Sequence, residues 1–256
     1  MFWFQTRMAD SRDMTVMHQM FRRECAAIAG LVRGVPAGDP AKVAVIANHV
    51  TWLLTFLHVH SAAEDKMVWP RLLERVPAGT GPLARAKEAQ DQDQGLNKAM
   101  DDLAAKVADW RGSSAAPQRD AVAGAAADLS ALVNEHFDLE EREVLPLIDK
   151  YLSEKEWDRV SGSGMKRMSF AHVQMAFGMI LHETTPGQRE IMRNVLPRVP
   201  WTVYSFLGPR AYVANAASLR AASGSVPVVP AAEAPAVVIT CSASPCSRPS
   251  GRRRCS

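Results

Sequence analysis

The stretches HSAAEDKMVWP at residues 60–70 and HFDLEEREVLP at residues 136–146 follow one repeated pattern. In each, a histidine is followed four residues later by a glutamate, at once by a second acid, and by a proline ten residues after the histidine. Four residues is just over one helical turn, so histidine and glutamate project from the same helix face and can bind one ion. Facing pairs of this kind on separate helices are how helical bundles build two-metal sites. The repeat therefore predicts a helical metal-binding protein.

Helical rather than alternating periodicity runs through residues 11–151, and loop segments rich in Gly, Pro and Ser interrupt it. These segments lie at 34–40, 76–82 and 111–117. They separate four predicted helices, at about 11–33, 41–75, 83–110 and 119–151. Short connections make neighbouring helices antiparallel, so we expect an all-α, up-down-up-down four-helix bundle. Pro70 and Pro146 lack a backbone N–H and should each interrupt their helix.

The composition divides the chain into three parts. Residues 11–151 form the predicted bundle. Residues 152–222 keep helical periodicity, with Ser153 as a helix cap and Glu156 three residues later, and are predicted to be an appended helical segment. Residues 223–256 are rich in Ser, Pro, Ala and Val without periodicity, which predicts a disordered low-complexity tail.

Composition and charge argue against several classes of protein. Apolar residues make up 47% and charged residues 22% of the chain, which is typical of a globular rather than a disordered protein. The net charge of +3 is too small to indicate nucleic-acid binding. No uninterrupted apolar stretch is long enough to span a bilayer, and no signal-peptide pattern is seen. The cysteines match neither a disulfide framework nor a zinc site, so we expect a cytoplasmic protein without nucleic-acid or membrane partners.

The repeat supplies four candidate metal ligands: His60, Glu64, His136 and Glu140. A glutamate that faces the inside of a bundle is costly unless it is compensated, so a bound cation explains these acids better than a solvated helix face does. His18, on the apolar side of the first helix, is a fifth candidate. The other histidines are predicted to be structural or outer groups, namely His49, His58, His172 and His182.

The repeat, its trailing proline and the upstream histidine together resemble the hemerythrin-like (HHE cation-binding) domain family, most closely actinobacterial members with a C-terminal helical extension. The matching segments are DMTVMHQMFRRE at 13–24, FLHVHSAAEDKMVWPRLLERVP at 56–77 and NEHFDLEEREVLPL at 134–147. The resemblance covers about residues 13–220 and implies an antiparallel four-helix bundle that holds two non-haem irons. It also implies nitrogen ligands at His18, His60 and His136, and carboxylates that bridge the two irons at Glu64 and Glu140.

The third predicted helix departs from the family pattern. Members carry at least one histidine there, in a segment similar to E-A-Q-H-E-x-L, whereas residues 88–96 read EAQDQDQGL and the helix contains no histidine. Alignment on the initial EAQ places Asp91 in the histidine position, and alignment on the following apolar stripe places Asp93 there. We favour Asp93 as the sixth ligand, with Asn97 in the second histidine position of some members. A helix that is merely polar and solvated here is the alternative.

The resemblance implies a protein that binds two non-haem iron ions, and the oxygen-rich ligand set suits iron or manganese. The first hypothesis is a di-iron protein that binds or turns over O2, peroxide or NO, with a role in oxygen binding or oxidative stress. A pair of metals can hold both oxygens of peroxide, which makes catalase-like decomposition the enzymatic option. The second hypothesis is a mononuclear-iron or redox-responsive sensing module with a degraded second site. The third is a purely structural bundle.

Overall fold

The computed structural model describes residues 7–165, 168–195 and 198–224, and these residues are largely helical. The helices are α1 (Arg12–Arg33), α2 (Pro40–Met67), α3 (Trp69–Arg75), α4 (Gly81–Ser113), α5 (Ala116–Leu139), a π-helix (Glu140–Val144), α6 (Leu145–Tyr151), α7 (Glu154–Met165), α8 (Phe170–Leu181), α9 (Pro186–Val195) and α10 (Arg198–Ser223). Extended pairing in the described ranges is limited to an isolated bridge between Met8 and Ser153. The all-α prediction is confirmed. The predicted disordered tail at 223–256 lies outside the described residues, except for 223 and 224.

The four longest helices of the first part, α1, α2, α4 and α5, pack as a bundle around an apolar core. Arg22 in the middle of α1 donates a hydrogen bond to Asn134 near the end of α5. Arg119 near the start of α5 donates to the carbonyl of Val35, just beyond the end of α1. These two contacts show that α1 and α5 run in opposite directions. The same reversal relates α2 to α4, whose polar pairs are Asn48–Arg111 and Ser61–Asn97.

Two helices begin at the ends of loop segments that were predicted from their Gly and Pro content. Asp39 accepts a hydrogen bond from the backbone N–H of Lys42 at 3.1 Å, and Pro40 occupies the first turn, where its missing N–H is not needed. Thr80 caps α4 in the same way through the N–H of Leu83, at 3.5 Å. These caps determine where α2 and α4 begin.

Both copies of the repeat are interrupted near their proline, as predicted. α2 ends at Met67, and α3 begins at Trp69, directly before Pro70. In the second copy α5 continues into the π-helix, and α6 begins at Leu145, directly before Pro146. A π-helix is rare, and single-turn π segments occur frequently at functional sites. The two copies therefore share a helical His-x-x-x-Glu turn, but their backbone conformations differ after it.

The appended segment begins with α7, which docks on the bundle through polar contacts. The N–H and the hydroxyl of Ser153 both donate to Glu156 at 2.9 Å, so Glu156 makes its half of the capping box expected from the sequence, while the Ser153 hydroxyl binds that carboxylate. Trp157 and Ser161 on α7 donate to the two carboxylate oxygens of Asp13 on α1, at 2.9 and 3.1 Å. These bonds fasten α7 to the first turn of α1.

Helices α8 and α10 form a close pair that packs against α1 and α2. Gly178 and Gly208 meet where α8 and α10 cross, and a Cβ atom on Gly208 would lie 2.8 Å from the backbone nitrogen of Gly178. Tyr212 on α10 donates to the buried carboxylate of Glu24 at 2.8 Å, and Arg23 donates to the same carboxylate at 2.7 Å. Close backbone packing and a buried polar cluster therefore hold the extension on the bundle.

The segment Pro40–Arg75 contains an 18-residue window with a mean hydropathy of 1.3, which by length and composition alone would permit a membrane span. Half of that window is buried within the protein, and core helices of soluble proteins pass the same test. This result differs from the expectation that no stretch is long enough, because an averaged hydropathy tolerates the polar residues that interrupt an apolar run. Glu64 is among the buried residues of α2, which favours a core helix of the bundle.

Candidate metal centre

Five elements of the bundle bring the predicted ligands to one buried place. They are α1 with His18, α2 with His60 and Glu64, α4 with Asp93, α5 with His136, and the π-helix with Glu140. The side chain of His60 is 9% exposed, and the other five residues are 2% exposed or less. The structure thus gathers all six residues that the sequence predicts as ligands. Their role in binding a metal stays a prediction.

One ligand group consists of His18, His60, Glu64 and Glu140, with one potential ligand atom from each lying within 4.8 Å of the others. His18 Nε2 is 3.4 Å from Glu140 Oε2, and His60 Nε2 is 3.3 Å from Glu64 Oε1. Nitrogen and oxygen donors at about 2 Å from one ion lie roughly 3 Å from each other, so these separations suit a shared cation. Imidazole and carboxylate are donors that iron, manganese and zinc all accept.

A second group consists of Glu64, Asp93 and His136, with the same mutual limit of 4.8 Å. His136 Nε2 is 4.0 Å from Asp93 Oδ1 and 3.6 Å from Glu140 Oε2. Glu64 therefore belongs to both groups, and Glu140 contacts a histidine of each. The arrangement is compatible with two adjacent cations that share Glu64 and Glu140.

Most atoms that face the centre of the site have no hydrogen-bond partner among the described residues. They are Nε2 of His18, His60 and His136, both carboxylate oxygens of Glu64, and Oε2 of Glu140. A buried polar atom left without a partner costs about 1–3 kcal/mol, and more if it is charged. A cation among these nitrogens and oxygens would satisfy several of them at once. The residues present therefore fit a metal ion.

Burial favours the neutral form of each histidine and glutamate in the site. Desolvation, and then nearby positive charge, lowers the pKa of His18 and the pKa of His60 well below the usual range. Desolvation lowers the pKa of His136 to about 4. Desolvation, followed by repulsion from neighbouring carboxylates, raises the pKa of Glu64 and the pKa of Glu140 well above the usual range. The imidazoles thus offer free lone pairs, whereas the glutamates hold protons that a cation must displace.

Cation binding should therefore release protons and become tighter as the pH rises. Because the pKa values of Glu64 and Glu140 are raised, both carboxyls stay protonated at pH values where an exposed glutamate is ionised, and they must ionise to act as ligands. We expect net proton release on binding, and weaker binding at lower pH than at higher pH. Titration with Mn²⁺ at several pH values, in a weakly buffered solution containing a pH indicator, measures the proton release and the affinity. An affinity that does not change with pH would contradict the assignment of these two glutamates as ligands.

Two residues beside the candidate ligands orient them, and neither role was predicted from the sequence. Glu141 Oε1 lies 3.0 Å from His18 Nδ1, so this contact turns Nε2 toward the centre. The ring of His18 stacks on Phe137, with the centroids 3.8 Å apart and the planes at 3°. Glu141 is the second acid of its copy of the repeat, and this position is the sequence feature that could have predicted its role. The matching acid of the first copy, Asp65, is exposed, so the repeat alone does not distinguish the two.

On α4 the structure separates the two acids that the sequence left as alternatives. Asp93 is 1% exposed and faces the site, whereas Asp91 is exposed. The hydroxyl of Ser61 donates to Asp93 Oδ1, and the indole N–H of Trp69 donates to Oδ2 at 3.4 Å. Asn97 donates to Ser61 at 3.0 Å. Asp93 is therefore the acid in position to bind a metal, although both of its oxygens already accept a hydrogen bond.

The other four histidines lie outside both ligand groups of the described residues. Two of them, His49 and His182, contact helix α10 of the extension. Their neighbours are Asn215 for His49, Asp101 for His58, Trp52 for His172 and Tyr212 for His182. These contacts do not involve the predicted ligands.

One family of known proteins matches this chain. The family model described as Hemerythrin HHE cation binding domain matches residues 10–148, which is more than half of the 256 residues. No curated protein and no solved structure matches the chain. The matched range contains every residue of the two ligand groups and ends before α7, so α7 to α10 lie beyond it.

Proposed function

The chain belongs to the hemerythrin HHE cation-binding domain family, and on that premise we propose that its bundle holds two non-haem iron ions and binds or turns over a small oxidant. The buried His/Glu cluster is compatible with such a cation site. The proposed ligands are His18 and His60 for one ion, His136 and Asp93 for the other, and Glu64 and Glu140 shared between them. Manganese is the alternative metal, because this set of nitrogen and oxygen donors suits both.

One observation carries the proposal. The nitrogens of His60 and His136 and the oxygens of Glu64 that face the centre are buried, and they have no hydrogen-bond partner in the described part of the chain. Native proteins leave few buried polar atoms without partners, so such a convergent set calls for an explanation. Bound cations are the explanation that satisfies nitrogen and oxygen donors together.

The small molecules that we propose to bind at the metal ions are O2, peroxide or NO. The enzymatic reaction we propose is catalase-like decomposition of peroxide. Two iron ions would supply electrons and adjacent coordination positions, which a molecule with two oxygens requires. The protein's own part is to hold the histidines in fixed orientations and to keep water away. Phe137 stacks on His18, and the ring of Phe21 lies 5.2 Å from that of His60. We assign no separate catalytic side chain.

We further propose that residues 11–151 are the metal-binding domain and that 152–222 form an appended helical part. The family match ends at residue 148, which supports this division. The small net charge of +3 supports a small-molecule ligand over a nucleic acid. A cytoplasmic location agrees with the sparse cysteines.

A specific observation favours a second candidate, a mononuclear-iron or redox-responsive module. Both oxygens of Asp93 accept hydrogen bonds, from Ser61 and Trp69, and its group has three members against four in the group around His18. The second site is therefore the weaker of the two. A protein that binds one ion would use the first group alone.

Metal analysis of the wild type and of Asp93→His distinguishes the two candidates. We expect about two irons per chain and measurable peroxide decay for the iron-loaded wild type, because Glu64 belongs to both ligand groups and Glu140 contacts a histidine of each. Asp93→His should keep that stoichiometry, since imidazole is a good iron ligand. The control is Asp91→His, on the exposed side of the same helix. About one iron in the wild type that rises to about two only in Asp93→His would favour the second candidate. Absence of iron after anaerobic loading would exclude both.

A further inference from the structure

A cavity of about 100 Å³ lies between the bundle and the appended helices, beside the metal centre. Its inner wall comes from α1 and α2 and includes Met17, His60 and Glu64. Its outer wall comes from α7, α8 and α9 and includes Ala176 and Met192. This cavity, called the chamber below, exists because the extension packs over that face of the bundle.

Among the described residues that line the chamber, all but four have apolar side chains. Methionine, valine, alanine, isoleucine and phenylalanine supply the rest, and methionines stand on both sides. Thioether side chains are flexible and polarisable, so they adapt to apolar molecules of different shape. The methionines are Met14, Met17, Met168 and Met192.

The four polar side chains leave hydrogen-bonding atoms free at one place only among the lining residues. Asp13 accepts hydrogen bonds from Ser161 at 3.1 Å and from Trp157 at 2.9 Å, so its two oxygens are occupied. The other two are His60 and Glu64, whose free atoms belong to the proposed metal site. Away from that site, the chamber favours molecules that make no hydrogen bonds.

The volume of the chamber indicates the size of molecule that it can bind. A cavity needs roughly 10–15 Å³ of such volume to hold one water molecule. The chamber, at about 100 Å³, is larger than that and somewhat smaller than an engineered apolar cavity of about 150 Å³ in another protein that binds benzene. Its size therefore suits an uncharged molecule of a few carbon atoms.

We propose that the chamber binds a small, uncharged, apolar organic molecule, such as a short alkane, an alkene or a small arene, with one side against Glu64 and His60. A neighbouring surface recess between α2 and α7 shares Val59 and Ala63 with the chamber, so these two side chains lie between the chamber and the recess. A role for this molecule in the chemistry of the metal centre rests on the proposed function. Its binding requires only the apolar wall.

Methyl NMR of the full-length, metal-free protein labelled at methionine tests this binding. Benzene is the probe, with xenon titrated in parallel. The methyl signals of Met17 and Met192 should shift saturably with benzene, because both side chains line the chamber. The signal of Met100, buried in the bundle core and not part of the wall, should stay in place.

Two substitutions on α8 form a matched pair. Ala176→Leu adds an isopropyl group to the chamber wall and should weaken benzene binding by at least about tenfold. Ala171→Leu adds the same group at an exposed position of the same helix and should leave the affinity unchanged. Thermal unfolding checks that both variants fold, and the wild-type titration does not depend on either.

Three results would overturn the proposal. They are no saturable methionine shift with either probe, saturable shifts with xenon alone, or equal weakening of benzene binding in Ala176→Leu and Ala171→Leu. The second result would mark a cavity for gases only, and the third would place benzene elsewhere. Because every titration uses metal-free protein, benzene binding by a protein that takes up no iron would contradict only the proposed function. Iron uptake without benzene binding would contradict only the chamber proposal.

Discussion

Iron binding should be almost abolished in a Glu64→Gln protein that folds normally. Glu64 is common to both ligand groups, so its replacement removes an anionic donor from each. Loss of groups that merely support metal ligands costs about 10–100-fold in affinity, and we expect at least about 100-fold for this shared ligand. Glutamine has the shape of a protonated glutamate, and burial already favours that neutral form by raising the pKa of Glu64.

Metal analysis after anaerobic loading with Fe²⁺ measures the loss, and thermal unfolding of the metal-free protein checks the fold. The matched control is Asp65→Asn, because Asp65 is the adjacent acid and is exposed. It should bind iron like the wild type. Retention of the full iron content by Glu64→Gln would show that the assigned site is wrong.

The same substitution should also change how stability depends on pH. The unfolded chain ionises Glu64 near the ordinary pKa of 4.5, whereas the folded protein has a raised pKa for this carboxyl. Its contribution to stability is therefore full below about pH 4.5 and is lost as the pH rises toward the folded-state pKa. Glu64→Gln lacks this contribution, so metal-free variant and wild type should diverge in stability as the pH rises, with the variant losing less.

Gly178→Ala should destabilise the extension by at least about 3 kcal/mol, which is at or above the usual cost of overpacking. A Cβ atom at this position would meet the backbone carbonyl of Gly208 and lie 2.8 Å from the Cβ atom of Tyr212. Backbone cannot move aside as a flexible side chain can, so α8 and α10 would have to separate. Chemical denaturation followed by circular dichroism measures the change.

Gly124→Ala is the matched control, because Gly124 lies within α5 and a Cβ atom there would meet nothing within 4 Å. Alanine is favoured over glycine in a helix by about 0.5–1 kcal/mol, so this control should be slightly stabilised. Equal stability of Gly178→Ala and wild type would refute the close crossing. Iron content retained by a loosened Gly178→Ala protein would support a bundle that binds metal without its extension.

Much of the fold could be predicted because helix formation depends on neighbours in the sequence. Apolar periodicity predicted the helices, and Gly and Pro marked the loops between them. The observed helix boundaries differ from the predicted ones mainly at the repeat, where the predicted helices at 41–75 and 119–151 are divided near their prolines. The π-helix could not be predicted, since its spacing differs from that of an α-helix by a single residue per hydrogen bond and the sequence does not mark the change.

The candidate site was predictable to the same degree. His60 and Glu64, like His136 and Glu140, share a helix face by spacing alone. The choice between Asp91 and Asp93 was not fixed by spacing, because it depends on how α4 is rotated against its neighbours. The structure decides it by burying Asp93.

The helices, and the pairs of candidate ligands within a helix, could be predicted because backbone hydrogen bonding and side-chain spacing act over a few residues. What lies across from those pairs depends on tertiary packing. The contact between His18 and Glu141, the crossing of Gly178 and Gly208, and the chamber over the metal centre join parts of the chain that are distant in sequence or lie on different helices. Such contacts depend on how whole helix faces pack together, which no local pattern of residues records.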